Sequence, residues 1–314
     1  MNNKLIVVAG PTASGKTATS IALAEEYGGE IVSADSMQVY RGMDIGTAKA
    51  TADEQSRCPH HMLDVAEPEE NYSVSLYVQS AQKVCDDIIS RGKLPIVTGG
   101  TGLYIDSLLR GGDFAPIEED KALRRELETE YDSLGGEVLL QKLSAFDPER
   151  AAKLNAADKR RIVRAIEIYM LSGKTATEHD IDSRSRPPRY DAAYMVLNFR
   201  DRQRLYDRID LRVDMMVKEG LFDEVRGLLD RGIDPNCTAM QAIGYKEAAM
   251  ALRAEISFDE AAELIKQGSR RYAKRQLTWF RRREDAFWIN WEDEPDFELA
   301  RQLSREFLNS KGIS

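Results

Sequence analysis

The chain has 314 residues, 42% of them hydrophobic and 31% charged, with a net charge of −9. That length suits about two domains with a sizeable core, and that balance excludes a disordered, collagenous or disulfide-framework chain. No apolar run approaches the roughly 18 residues that span a membrane, and Cys58, Cys85 and Cys237 lie too far apart for a zinc or disulfide framework, so reduced thiols in a cytoplasmic protein are expected.

Residues 4–9 (KLIVVA) form a short apolar run ending at Gly10 and read as a buried strand. Residues 17–27 space Ile21, Leu23 and Ala24 as a helix, stopped by Gly28 and Gly29. A second strand is expected over 30–34 (EIVSA), a helix over 72–91, and a third strand over 94–98 (LPIVT), closed by Gly99 and Gly100. This alternation predicts an α/β fold, a P-loop NTPase-like parallel sheet flanked by helices. From 118 to 174 the chain is polar and helical, 184–190 (RSRPPRY) reads as a linker, and strand character returns over 192–199. The middle stretch is therefore expected to be a helical insertion over 113–190, between a core part at 1–112 and its continuation at 191–314. Long helices are expected over 202–231 and 258–283, a last strand over 287–291 and an amphipathic helix after Pro295.

Gly10-Pro11-Thr12-Ala13-Ser14-Gly15-Lys16-Thr17 fits G-x-x-x-x-G-K-[ST] between a strand and a helix. Backbone N–H groups of such a loop wrap phosphate oxygens, and the helix N-terminus adds its dipole. Lys16 would neutralise an outer phosphate and Thr17 would ligate Mg²⁺. The cradle alone does not name a reaction, since ATPases, GTPases and small-molecule kinases share it. The apolar strand ending in Asp that holds the Mg²⁺ water of motor-type NTPases is missing: the third strand runs into Thr98-Gly99-Gly100-Thr101. Asp35 follows the second strand, and the carboxyl ends of neighbouring parallel strands share one edge, so Asp35 is expected to face the cradle. There a carboxylate binds Mg²⁺, takes a proton from a nucleophile or caps a turn.

Positive charge is concentrated locally despite the acidic total. It gathers at Lys159, Arg160, Arg161 and Arg164, at Arg184, Arg186 and Arg189, and most densely over 270–283. An acidic body with basic stripes still steers a polyanion. Residues 159–171 read as amphipathic, with Ile162, Val163, Ile166 and Met170 inward and Arg160 and Arg164 outward. Arg270, Arg271, Lys274 and Arg275 fall one helical turn apart, a row suited to phosphates, while Trp279 and Phe280 read as core. His60 and His61 lack metal-ligand spacing and read as structural.

Beyond the cradle the chain carries 35–49 (DSMQVYRGMDIGTAK), Pro59-His60-His61, 99–105 (GGTGLYI), 241–246 (QAIGYK) and 271–280 (RYAKRQLTWF). In these motifs it resembles the tRNA isopentenyltransferase family, the bacterial tRNA dimethylallyltransferases, from about residue 4 to 287. That family transfers a dimethylallyl group from dimethylallyl diphosphate to the exocyclic amine of the adenine at tRNA position 37, beside the anticodon. The resemblance implies that Gly10 to Thr17 hold the donor's diphosphate, that Mg²⁺ sits at Thr17, and that one of Arg208 and Arg212 reaches the same group. It implies Asp35 as general base toward the amine, with Thr101 beside that amine and Lys16 on the leaving group. It implies tRNA contacts at Asp35, Ser36, Met37 and Gln38, at Lys159, Arg160, Arg161, Ile162 and Val163, and at Gln241, Ala242, Ile243, Gly244, Tyr245 and Lys246. The partners expected are the anticodon stem-loop of tRNA and dimethylallyl diphosphate, with no membrane and a monomeric chain.

The chemistry agrees with these roles. An allylic carbon leaves diphosphate with much positive character, so a backbone nest, Lys16 and Mg²⁺ stabilise the departing charge. The amine gains from losing its proton to Asp35, and its base must be flipped from the stack to react; Gln38 suits a base edge. A small-molecule kinase would need an arginine lid over ATP, and a nucleotide-switched RNA binder would need a strand–Asp sensor of the γ-phosphate. The basic insertion favours a macromolecular acceptor over a free adenine nucleotide.

Overall fold

The computed structural model describes residues 3–111, 120–185 and 187–313. The expected boundary at 112–113 and Arg186 of the basic linker lie outside the described residues. Six strands, β1 (Lys4–Ala9), β2 (Glu30–Ser33), β3 (His60–His61), β4 (Pro95–Gly99), β5 (Asp191–Phe199) and β6 (Phe287–Trp291), form one sheet in the order β3-β2-β4-β1-β5-β6. Every pairing is parallel. The P-loop-like parallel sheet flanked by helices is the fold that the sequence predicts.

β1 lies inside the sheet between β4 and β5, and Leu5, Ile6, Val7 and Val8 are fully buried. A strand covered on both faces reads as a continuous apolar run, and each such side chain contributes about 1.5–3 kcal/mol. The flanking helices of the core are α1 (Lys16–Tyr27), α2 (Ala52–Arg57), α3 (Val74–Ser90) and α4 (Gly102–Arg110). After the insertion's α5 (Lys121–Leu134), α6 (Gly136–Ser144), α7 (Pro148–Ala151), α8 (Lys159–Ser172) and α9 (Ala176–Ser185) come α10 (Arg202–Glu219), α11 (Leu221–Asp230), α12 (Tyr245–Leu252), α13 (Phe258–Phe280) and α14 (Phe297–Ser310).

Several elements differ from expectation for local reasons. The helix expected over 202–231 is two, because Gly220 adopts φ 106° between α10 and α11, a left-handed conformation that ends a helix. α9 runs to Ser185 and shortens the expected linker. β3, two polar residues without a strand signal of their own, pairs only at the sheet edge. Its His61 lies 2.8 Å from Glu30, and the His60 ring lies 2.9 Å from the Cys58 carbonyl, so both histidines have the structural surroundings expected. Arg91 first, then Lys93 and His61, hold the buried Glu30 carboxyl well below its usual range.

The chain divides into two compact units, Met1–Leu109 with Arg189–Ser314, and Arg110–Pro188. It leaves and re-enters the first at one point, where the Arg189 amide donates to the Leu109 carbonyl at 3.0 Å. The second unit has its own core of Leu127, Leu139, Leu143, Ile162, Val163 and Ile166. Met170, expected inward there, is exposed; Tyr169 in the same last turn of α8 stacks on Phe146 instead, with centroids 4.1 Å apart. Among the described residues all three cysteines are free, and no helix is long and apolar enough to cross a membrane.

Candidate active site

The loop between β1 and α1 is fixed by two glycines and by hydrogen bonds to its carbonyls. Gly10 takes φ 151° where a Cβ would lie 2.5 Å from the Leu197 carbonyl, and Gly15 takes φ 89° at the α1 N-cap, so both positions require glycine. Loop carbonyls are held from outside by Trp291 Nε1, which donates to Ser14 O at 2.9 Å, and Arg208 Nε, to Ala13 O at 3.4 Å, and from within by Lys16 Nζ, to Pro11 O at 2.7 Å. Among the described residues the N–H groups of Ala13, Gly15, Lys16 and Thr17 make no hydrogen bond. Four free donors at a helix N-terminus form an anion nest.

Two cations and one carboxylate meet at this nest. Burial, then the positive charge of Arg212, push the Lys16 ammonium down to about 7, while Asp35 pulls the other way. Burial also lowers Arg212 against the pull of Asp35. Of the two arginines, Arg212 is the one without a hydrogen bond or ion pair among the described residues, whereas Arg208 is paired with Glu294. The Thr17 hydroxyl makes no hydrogen bond among the described residues. It is a hard oxygen donor of the kind that suits Mg²⁺.

Asp35 follows β2 at the carboxyl edge of the sheet. Its Oδ1 accepts from the amides of Met37, at 2.9 Å, and Gln38, at 3.4 Å, so it caps a turn; its Oδ2 makes no hydrogen bond among the described residues. Thr101 sits beside it: its N–H donates to Ala34 O at 3.2 Å, and its Oγ1 accepts from the Ser36 amide at 3.1 Å. Tyr272 on α13 reaches the same place, and burial, then the Asp35 charge, push its hydroxyl up to about 12.

The irregular stretch after Asp35 is fixed from within. Gln38 Nε2 donates to the carbonyls of Thr47 and Ala48, and its Oε1 accepts from Ser33 Oγ at 3.0 Å. Its side-chain amide is thus hydrogen-bonded inside the chain. Buried Lys49 joins Tyr40 O, Asp44 and Asp64. Glu224, 180 residues away, accepts from the amides of Asp44, Ile45 and Gly46 and from Tyr245 Oη. Tyr245 is accordingly fully buried, as Ala242 and Gly244 largely are, and Ile243 is half-buried; Gln241 and Lys246 are exposed.

The basic residues divide the same way. Lys274 and Arg275 are exposed on α13, but Arg270, expected in the same row, is held by Asp210 at 2.6 Å. Phe280 is core as expected, and Trp279 Nε1 donates to Asp106 at 2.8 Å. In the second unit Arg160 and Arg161 are exposed without partners among the described residues. Lys159 pairs with Asp132 and the part-exposed Arg164 with the buried Glu167. Ile162 and Val163 are buried.

Residues that carried no expectation are Gln276, Tyr272, Glu224 and Lys49. Gln276 had a readable signal, a polar side chain inside the apolar stripe Ala273, Leu277 and Phe280. Glu224 had none, since its partners are distant in sequence.

A parallel sheet with a phosphate nest at the carboxyl edge of β1 defines a phosphate-loop α/β protein. Its NTPase-type strand–Asp is replaced by Asp35 and the 99–102 loop. The family model for IPP transferase matches residues 38–283, and that for isopentenyl transferase matches 3–64; the chain belongs to the IPP transferase family. A tRNA dimethylallyltransferase of Acetivibrio thermocellus is 47% identical over 314 residues, 100% of this chain and 99% of that protein. One from Halalkalibacterium halodurans is 46% identical over 99% of this chain and 98% of that protein. Among solved structures, the full-length tRNA isopentenylpyrophosphate transferase of Bacillus halodurans is similar with TM-score 0.72 and 41% identity, over 99% of this chain and 98% of that one. A eukaryotic dimethylallyltransferase acting on tRNA reaches TM-score 0.85 at 28% identity, over 100% of this chain and 81% of that one.

Proposed function

We propose that the chain transfers a dimethylallyl group from dimethylallyl diphosphate to the exocyclic amine of adenine 37 of tRNA, releasing diphosphate. The observation that carries this reading is one site in which an anion nest, Lys16 and Arg212 stand against a carboxylate, Asp35, with a free oxygen. The allylic C–O bond breaks, the electron pair leaves with the diphosphate, and the amine nitrogen forms the new C–N bond. Asp35 Oδ2 takes the proton that the amine loses, and Thr101 holds the turn that aims it. The free amides of Ala13, Gly15, Lys16 and Thr17, the Lys16 ammonium and Arg212 receive the charge growing on the leaving group, where preorganised donors are worth most. Mg²⁺ held by the Thr17 hydroxyl and the diphosphate would add Lewis-acid stabilisation of that charge.

The acceptor's phosphates would meet the exposed Lys274 and Arg275, Arg160 and Arg161, and the exposed Gln241 and Lys246. Ser36 and Met37 would contribute from the turn beside Asp35. The buried Ile162, Val163 and Tyr245 act by supporting these surfaces. A monomer working in the cytoplasm completes the proposal. The test mixes purified protein and Mg²⁺ with labelled dimethylallyl diphosphate and unmodified tRNA, and separately with labelled ATP. Label on tRNA from the first donor and none from the second supports the reading; phosphate transfer from ATP instead sinks it.

A further inference from the structure

Gln276 joins the two halves of the site. Its Oε1 accepts from the Thr12 amide of the phosphate loop at 3.0 Å, and its Nε2 donates to the Gly100 carbonyl at 3.0 Å. The side chain is 5% exposed. The fit at Gly100 is close enough that a Cβ there would lie 2.1 Å from Nε2. Gly100 precedes Thr101, whose N–H and hydroxyl hold Ala34 and Ser36 on either side of Asp35. A single continuous line of hydrogen bonds therefore runs from the loop for the leaving group, through one amide, to the turn that carries the base. Of the uncharged side chains long enough, only glutamine supplies both an acceptor for Thr12 and a donor for Gly100.

We infer that Gln276 is a positioning residue that sets the distance between the bound diphosphate and Asp35. The inference rests on the proposed prenyl transfer and adds to it a coupling between donor and acceptor sides. A loose clamp should act on the reacting geometry, since a misplacement of about 1 Å costs on the order of 10²-fold in rate. Donor binding should suffer little, because losing Gln276 frees the Thr12 N–H for a phosphate oxygen.

The test uses the full chain with Gln276→Met, Gly100→Ala and the double variant, after the wild type has been shown to transfer. Gln276→Met is expected to lower kcat about 10- to 100-fold while KM for dimethylallyl diphosphate and the calorimetric Kd for inorganic diphosphate change less than about threefold. Gly100→Ala leaves the glutamine in place but displaces its amide, and is expected to repeat that split. It also carries the test if Gln276→Met fails to fold. The double variant is expected to be no slower than the slower single, since both remove one clamp. Unchanged kcat in either single variant, a loss confined to donor KM and thermal midpoint, or losses that multiply in the double variant would each overturn the inference. A wild type without transfer would instead sink the proposed function itself.

Discussion

Lys16 is a cation kept ready to be charged. In the free protein burial and Arg212 push it down to about 7, so above that pH it is largely neutral. A bound diphosphate favours the ammonium and draws its pKa back toward the ordinary lysine value of about 10.4. Donor binding between about pH 7.5 and 9 should then take up protons, and below about pH 6 it should not. Calorimetry in buffers of different ionisation enthalpy measures the uptake, and Lys16→Met should abolish the difference. Asp35 does two jobs with two oxygens. Asp35→Asn keeps an oxygen for the amides of Met37 and Gln38 but loses the base. It should lower kcat about 10²- to 10⁴-fold, with the thermal midpoint unchanged.

At the scale of elements, the stretch 35–49 has almost no regular structure, yet its turn at 44–46 is held by one carboxylate. Glu224→Ala would orphan three backbone amides and the Tyr245 hydroxyl. Charge-assisted bonds of this kind are worth about 1.5–3 kcal/mol net, so urea denaturation should show a loss of about 2–3 kcal/mol with an unchanged slope. This clamp joins residues about 180 positions apart, which no local pattern connects. The strands β1 and β6 were legible to the residue, because an apolar run bounded by glycine or charge needs no partner to be read. α4 and α12 were not, because each starts at or beside a glycine, Gly102 and Gly244, that reads as a breaker. The cradle and Asp35 were legible as local motifs. The partners of Arg208, Gln38 and Glu224 were not, since folding alone brings them together.

At the scale of the whole molecule, the insertion begins and ends at neighbouring residues of the core. Leu109 and Arg189 are hydrogen-bonded to each other, and each unit has its own hydrophobic cluster. Replacing residues 110–188 by a short Gly-Ser loop should leave a core that unfolds cooperatively and binds inorganic diphosphate within about threefold of the full chain, since loop closure costs little. It should lose transfer to tRNA if Arg160 and Arg161 help hold the acceptor. The proposed site must bring an allylic diphosphate to one particular adenine. The most direct measurement is to digest tRNA treated with the protein and dimethylallyl diphosphate and locate the added mass. One dimethylallyl group on the adenosine next to the anticodon, lost with Asp35→Asn, is the result expected. The group on another nucleotide, or its full transfer by Asp35→Asn, would contradict the account.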